Sequence, residues 1–499
     1  MSDGLATRKE GLGLLWGAAL AIAALGTWII FDALPGINWL IWTATAAACL
    51  FFFLRGDRSG RDVVITMASI ATLIAGGAAI NAESPITALM FLGMMLFLAL
   101  EMLLSTNPSW SRISAGFTVP APVVAFGHAI VESVRRAVEA LHLVRSKRAR
   151  SIVGGIAITL PVVVIFALLL ASADPIFAGW RDAIEDLLSN WDFPRTVFFF
   201  ALLSIVLGAY GFAAKGEDSV DLSLAFSGEP TRPWLGVTER LILISSVTAL
   251  LWVFLIVQVT YLFGNLPQVT GSGVTFADYA RRGFAELSVV ASASVVLILV
   301  SERYGHKDQR AGLLRGITIA LVVAVLFLLG SAFHRVSLYE EAYGFTTARL
   351  YAQAYMIVVA VALFALVAEL RGDIDARRLF RRVAAVATFA FLVLIYWNHE
   401  SWIAGRNIDR FATTGKLDVS YLVKDLSPNA VPVIVDRLAA LPPATSAEVR
   451  NALATRYQNG HRRLAGSWYE WNLGRTRALR ALQQAAIPLE PAPNSASVP

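Results

Sequence analysis

AGLLRGITIALVVAVLFLLGSAF, residues 311–333, carries a single charged side chain, Arg315, in twenty-three residues. At 1.5 Å per residue a helix of that length reaches across the roughly 30 Å hydrocarbon layer of a bilayer, and at that length a helix satisfies all its own backbone hydrogen bonds there. Ten further runs resemble it: residues 12–31, 37–54, 63–80, 86–104, 152–171, 196–214, 241–264, 284–300, 352–370 and 383–403. The expected fold class is therefore all-α, a polytopic transmembrane helix bundle of about eleven spans with a small C-terminal helical extramembrane domain. Composition agrees. The 499-residue chain is 57% hydrophobic and only 16% charged, where soluble domains carry about 25% charged residues. The single cysteine, Cys49, excludes an intrachain disulfide and a cysteine zinc cluster. The first apolar run follows Arg8 and Lys9 and is long for a signal peptide, so it reads as a retained anchor.

The distribution of basic residues sets the orientation. With the N-terminus in the cytoplasm, the inner segments hold 24 Lys and Arg, while the outer loops before the last span hold six. Cytoplasmic loops carry that excess in membrane proteins. Eleven spans then place the last hundred residues outside. The expected organisation is four N-terminal spans over residues 1–104, a cytoplasmic basic amphipathic segment over 105–150 and a seven-span membrane core over 151–403. A small extracytoplasmic helical domain over 404–490 and a disordered tail over 491–499 complete it.

Two connecting segments have helical amphipathic spacing. In PVVAFGHAIVESVRRAVEALHLVRSKRAR, Phe126, Ile130, Val134, Val138 and Leu141 share one face and the arginines lie off it, a pattern for a helix on an anionic inner leaflet or one packed between spans. PIFAGWRDAIEDLLSNW repeats the geometry with an acidic polar face. In the tail, Ser427-Pro428 reads as a helix start and Pro442-Pro443 as its end. Ser446 is expected to cap a helix reaching about residue 464, and LGRTRALRALQQA is expected to form another.

Motifs for chemistry fail one by one. HESWI at His399 begins like a zinc-protease helix, but Ile403 stands where the second imidazole is required. TTGKL at Thr413 lacks the leading glycine and the trailing hydroxyl of a phosphate loop. No glycine-flanked serine elbow occurs. No catalytic residue, metal or cofactor is expected, and the chain is not read as an enzyme.

What remains is polarity concentrated on the outer side. HRVSLYEEAYGFTTARLYAQAY, residues 334–355, joins two apolar runs; TFADYARRGFAEL, 275–287, leads into one; YWNHESWIAGRNIDRF, 396–411, leaves another. Charged residues within spans are costly unless paired or wet, and they mark candidate binding sites. The candidate cluster comprises Tyr279, Arg281, Arg282, Glu286, His334, Arg335, Tyr339, Glu340, Tyr343, Arg349, Tyr351, Arg406, Asp409 and Arg410. The plainer alternative is an interfacial aromatic belt and a tight hairpin, with Gly344 ending one helix, Thr346 or Thr347 capping the next, and Arg349 paired to Glu340 or Glu341 across it. Glu101 is a second intramembrane acid, read either as a proton relay or as a snorkelling side chain near the cytoplasmic end.

Several blocks in fixed order resemble a family of uncharacterised bacterial polytopic membrane proteins carrying a domain of unknown function. They are LLASADPIFA (169–178), FADYARRGFAEL (276–287), SLYEEAYGFTTARLY (337–351), WIAGRNIDRF (402–411), LDVSYLVKDLSPNAVPVI (417–434) and WYEWNLGRTRA (468–478), within residues 151–482. The chain departs from the family pattern at Asn398-His399-Glu400, where an asparagine-proline pair is more usual. The resemblance implies an inner-membrane location and a shared multi-span body, and it implies no activity. The expected partners are the lipid bilayer and an envelope protein. The outer placement of the basic-aromatic stretch HRRLAGSWYEWNLGRTRALR argues against nucleic acid; it is expected to dock on lipid headgroups, on anionic envelope polymers or on the protein's own outer-face loops, with packing onto the body as the default. An envelope scaffold or sensor-type partner leads, followed by a transporter or lipid-handling protein and then by a membrane enzyme.

Overall fold

The structure is a computed structural model that describes residues 2–54, 60–81, 86–142, 192–215, 236–263, 311–372, 375–458 and 466–488, together with 287, 289–298, 300, 301 and 464. Every regular element among them is helical, so the protein is an all-α membrane protein. Seven helices are long and apolar enough to cross a bilayer: Gly11–Ile29, Ile86–Leu104, Phe193–Ala213, Val237–Val257, Gly312–Tyr343, Thr347–Leu370 and Arg377–Tyr396. Ile37–Phe52 and Val289–Ile298 are shorter apolar helices. The span expected at 152–171 and the helix expected in PIFAGWRDAIEDLLSNW lie outside the described residues.

Internal contacts divide the chain into two units. The first holds residues 1–112, 117–220 and 466–473. Its helices are α1 (Ser2–Ile29), α2 (Ile37–Phe52), α3 (Arg61–Gly77), α4 (Ile86–Leu104), α5 (Ala121–His142) and α6 (Phe193–Ala213). The amphipathic segment thus forms the helix its spacing predicts, and it packs along α6. Ala125, Ala129 and Ser133 are buried, while Phe126, Ile130, Val134 and Val138 face outward. The contact is backbone-close: a Cβ on Gly208 would fall 1.8 Å from the Ala129 carbonyl oxygen, and Ser133 Oγ meets Ser204 Oγ at 2.9 Å. Small residues permit such an approach where water gives no drive to hide apolar side chains.

A piece of the C-terminal tail completes this unit. Glu470 accepts the Leu34 amide at 2.8 Å, and the Ile37 amide donates to the Trp471 carbonyl at 2.9 Å. Asn472 Nδ2 donates to the carbonyls of Ala78 and Asn81, each at 2.7 Å, and the Leu473 amide donates to Ala79 at 2.7 Å. Helix ends leave amides and carbonyls without intrahelical partners. The WYEWN segment supplies them at the start of α2 and the end of α3, so it docks on the chain's own loops, while Trp28 lies edge-on to Trp468.

The second unit holds residues 113–116, 221–465 and 474–499. It contains α7 (Val237–Phe263), α8 (Val289–Ile298), α9 (Ala311–Tyr343), α10 (Thr347–Leu370), α11 (Ala376–Tyr396), α12 (His399–Thr414), α13 (Val431–Asp436), α14 (Pro443–Tyr457) and α15 (Leu473–Gln484). Leu321, Val325, Leu328 and Ala332 of α9 form the centre of its apolar core with residues of α7, α8 and α10. At one end of the α10–α11 pair, the carboxylate of buried Glu369 takes Arg378 at 2.5 Å and Arg382 at 2.6 Å. A second core, built on Ile403, Ile408, Leu422, Ile434, Val449 and Leu482, belongs to the tail.

Three boundaries differ from the expectation. α9 does not stop with the apolar run at 333 but runs on through the polar HRVSLYEEAY to Tyr343, where the tight-hairpin reading has Gly344 end it. The last span ends at Tyr396; Asn398 accepts the Ser401 amide at 3.2 Å and starts a separate helix, because an N-cap and an acid in the first turn outweigh the apolar residues that follow. In the tail, Ser427 does cap a turn that leads into α13, but α14 begins at Pro443 rather than Ser446 and ends at Tyr457, since proline at the first helical position pre-sets its φ.

Candidate functional site

The site grows from the turn between α9 and α10. Gly344 has φ +94°, a conformation that costs a side-chain-bearing residue dearly, and its amide closes α9 onto Glu340 at 2.8 Å. Thr346 caps α10 by accepting the Arg349 amide at 3.4 Å. Between them both backbone groups of Phe345 are taken by one side chain. Its amide donates to Asn407 Oδ1 at 2.7 Å and its carbonyl accepts Asn407 Nδ2 at 2.9 Å. The Thr347 amide donates to the Tyr421 hydroxyl at 2.8 Å, and Arg410 donates to the Ala342 and Lys416 carbonyls at 3.1 and 3.3 Å. The tail therefore grips the turn by its main chain.

The ion pair expected between Arg349 and Glu340 or Glu341 gives way to other partners. Arg349 donates to the Gly344 carbonyl and lies 4.3 Å from the Tyr339 ring centroid, and Tyr339 stacks on Tyr343 at 4.6 Å. Glu340, buried, accepts Gln353 Nε2 at 2.8 Å. Desolvating both partners of a charge pair costs more than a neutral hydrogen bond in such a setting.

Beneath the turn lie the first residues of α12. His399 is buried; with its Nδ1–H donating to the Trp397 carbonyl at 3.2 Å, Nε2 is left to accept from the Tyr351 hydroxyl at 2.9 Å. Burial holds this imidazole below its ordinary range, against the opposing pull of the Trp397 and Leu394 carbonyls. Glu400 is 1% exposed. Ser427 Oγ–H donates to one carboxyl oxygen, and the other has no hydrogen-bond partner among the described residues. Burial pushes this carboxyl up to about 7; the Ser427 bonds and the charge of Arg456 pull it back only in part. Arg456 itself is committed to the carbonyls of Val423 and Leu426. The pair can gain or lose a proton near neutrality. Ser427 Oγ also accepts the Asn429 amide at 3.3 Å, so its hydroxyl serves a helix start and a carboxyl at once.

Of the fourteen residues singled out by sequence, Tyr339, Glu340, Tyr343, Arg349, Tyr351 and Arg410 gather at or below the turn. Arg335 is buried on α9 and His334 is exposed beside it. Arg406 and Asp409 lie on the exposed face of α12, Arg406 against Trp402 at 5.6 Å and Asp409 paired with Arg437. Tyr279, Arg281, Arg282 and Glu286 lie outside the described residues. Sequence reasoning passed over Asn407, Gln353 and Tyr421, read Ser427 only as a helix start, and set His399 and Glu400 aside. The signal was there: His399, Ile403 and Asn407 recur four apart on one helical face, all buried, while the charges that drew notice fall between them.

A family model described as a domain of unknown function, DUF4153, matches residues 68–437, which include the turn, Asn407 and the Glu400–Ser427 pair. No curated protein and no solved structure matches the chain.

Proposed function

This chain belongs to the DUF4153 family, and we propose that within it the protein is an envelope scaffold or sensor-type partner, a multi-pass protein of a bacterial inner membrane with a cytoplasmic N-terminus and an extracytoplasmic tail domain. The observation that supports this reading is what the polar residues do. Asn407, Tyr421, Arg410 and Arg349 are spent on backbone groups of the α9–α10 turn, so the cluster binds the tail to the span pair and presents a folded tail to the outside. The four-to-one excess of basic residues on one side supports the orientation. The outward strip Phe126–Ile130–Val134–Val138 of α5 suits contact with lipid. The reading includes no catalytic step and no nucleic-acid partner.

A second reading, transport or lipid handling, draws on Arg335 and Glu340, charges buried within a span-length helix. One experiment separates them. In a Cys49→Ser background an impermeant maleimide is expected to label a cysteine at Thr414 in intact cells and not one at Gly372; the reverse overturns the orientation. A photoreactive residue at Arg406, exposed on α12, is expected to give one discrete protein adduct in native membranes, and Asn407→Ala is expected to abolish it. Absence of an adduct, with solute or lipid movement that fails in Arg335→Gln at normal protein level, would favour the second reading.

A further inference from the structure

α4, ITALMFLGMMLFLALEMLL, contains one ionisable side chain in nineteen residues, Glu101. It is fully buried at 0% exposure, and neither carboxyl oxygen has a hydrogen-bond partner among the described residues. Snorkelling does not explain it. The residue stands one turn before the end of α4 at Leu104, and a helical side chain leans back toward the helix N-terminus, here into the apolar span and away from the nearer water.

Among the described residues no counter-charge is bonded to Glu101. α4 packs against α2, α3, α5 and α6. From α6, Tyr210 faces the carboxyl electrostatically, with Cys49 of α2 beside it, but the Tyr210 hydroxyl already donates to the Ala46 carbonyl at 3.0 Å. On α3, Asp62 accepts the Trp110 indole at 2.6 Å and Arg61 lies 5.9 Å from the Phe51 ring centroid. On α5, Glu132 is paired with Arg136 and with Lys215, Arg135 reaches Glu132 and Glu139, and His128 lies 5.3 Å from the Phe212 ring. Glu101 shares a hydrogen bond or ion pair with none of these described groups. A carboxylate left dry and unpaired costs far more than the same group holding a proton.

We propose that Glu101 is a proton-binding site, a carboxylic acid carried in its protonated form inside the first unit across the neutral pH range. Its ligand is the proton itself, and the site is separate in the chain and in its unit from Glu400. A hydrophobic carbodiimide reacts with protonated carboxyls buried in apolar surroundings, so it is the probe. Full-length protein in lipid nanodiscs, treated with dicyclohexylcarbodiimide at pH 7 and mapped by peptide mass spectrometry, is expected to carry an adduct on the Glu101 peptide, resolved from any on the Glu400 peptide. A water-soluble carbodiimide is expected to label Glu101 at least tenfold more slowly, and Glu101→Gln is expected to lose the adduct while melting at the wild-type temperature. Infrared spectra in a Glu400→Gln background are expected to show a protonated-carboxyl band at pH 7 that Glu101→Gln diminishes. An unlabelled Glu101 in folded wild-type protein, or equal labelling by both reagents, overturns the proposal. If Glu101→Gln does not fold, the peptide-mapped adduct on wild-type protein decides alone.

Discussion

Two side chains, Asn407 and Glu400, govern the stability of the turn and its response to pH. Asn407 closes a two-way hydrogen bond with Phe345, and removing one partner strands buried backbone groups. Asn407→Ala should therefore cost about 2–4 kcal/mol, seen as a lower melting temperature in detergent and faster proteolysis between Gly344 and Thr347. Glu400 gives the pH dependence. Its carboxyl rises from 4.5 to about 7 on folding, so the folded state holds the proton more tightly than the unfolded chain. The sign follows directly: stability is greatest below about pH 4.5, falls as pH rises toward 7, and stays level above. The full change is about 3 kcal/mol at roughly 1.4 kcal/mol per pH unit. Glu400→Gln should flatten that profile and melt higher than wild type at pH 8; an unchanged profile would remove Glu400 from the account.

Among the elements, seven spans and one joint were legible in the sequence and the other joints were not. Apolar length identifies a membrane helix by itself, so α4, α6, α7 and α10 fall close to their expected places. Gly344 and Thr346 were legible too, because a positive φ and an N-cap are local requirements with few residue types that meet them. The break at Trp397–Asn398 was hidden, since hydropathy averaged over a span-length window blends Trp402, Ile403 and Ala404 into the span before them. The clasp was hidden for a different reason: Asn407 and Phe345 are 62 positions apart, and no local pattern joins them. The docked WYEWN segment behaves alike. Glu470→Ala should speed hydrogen exchange of the Leu34 amide about tenfold, the equivalent of roughly 1.4 kcal/mol, and leave amides in the middle of α4 unchanged. Equal exchange in both proteins would mean that the Glu470 side chain adds nothing to the α1–α2 turn.

At the scale of the whole molecule, two units share one tail: residues 466–473 count with the first, and the rest of the tail with the second. That sharing has a consequence in time. Leu34 and its partner Glu470 are 436 positions apart, so at translation rates of about 5–20 residues per second the first turn waits on the order of 20–90 s for its cap. During that interval the amides of Leu34 and Ile37 and the carbonyls of Ala78, Ala79 and Asn81 have no tail to meet. A chain ended before Ser467 never meets it. Such a truncation should insert normally yet turn over several-fold faster in a pulse–chase, with the added segment 467–488 in trans slowing the loss. Residues 467–473 would then separate a first unit whose turns are capped from one whose turns are left open.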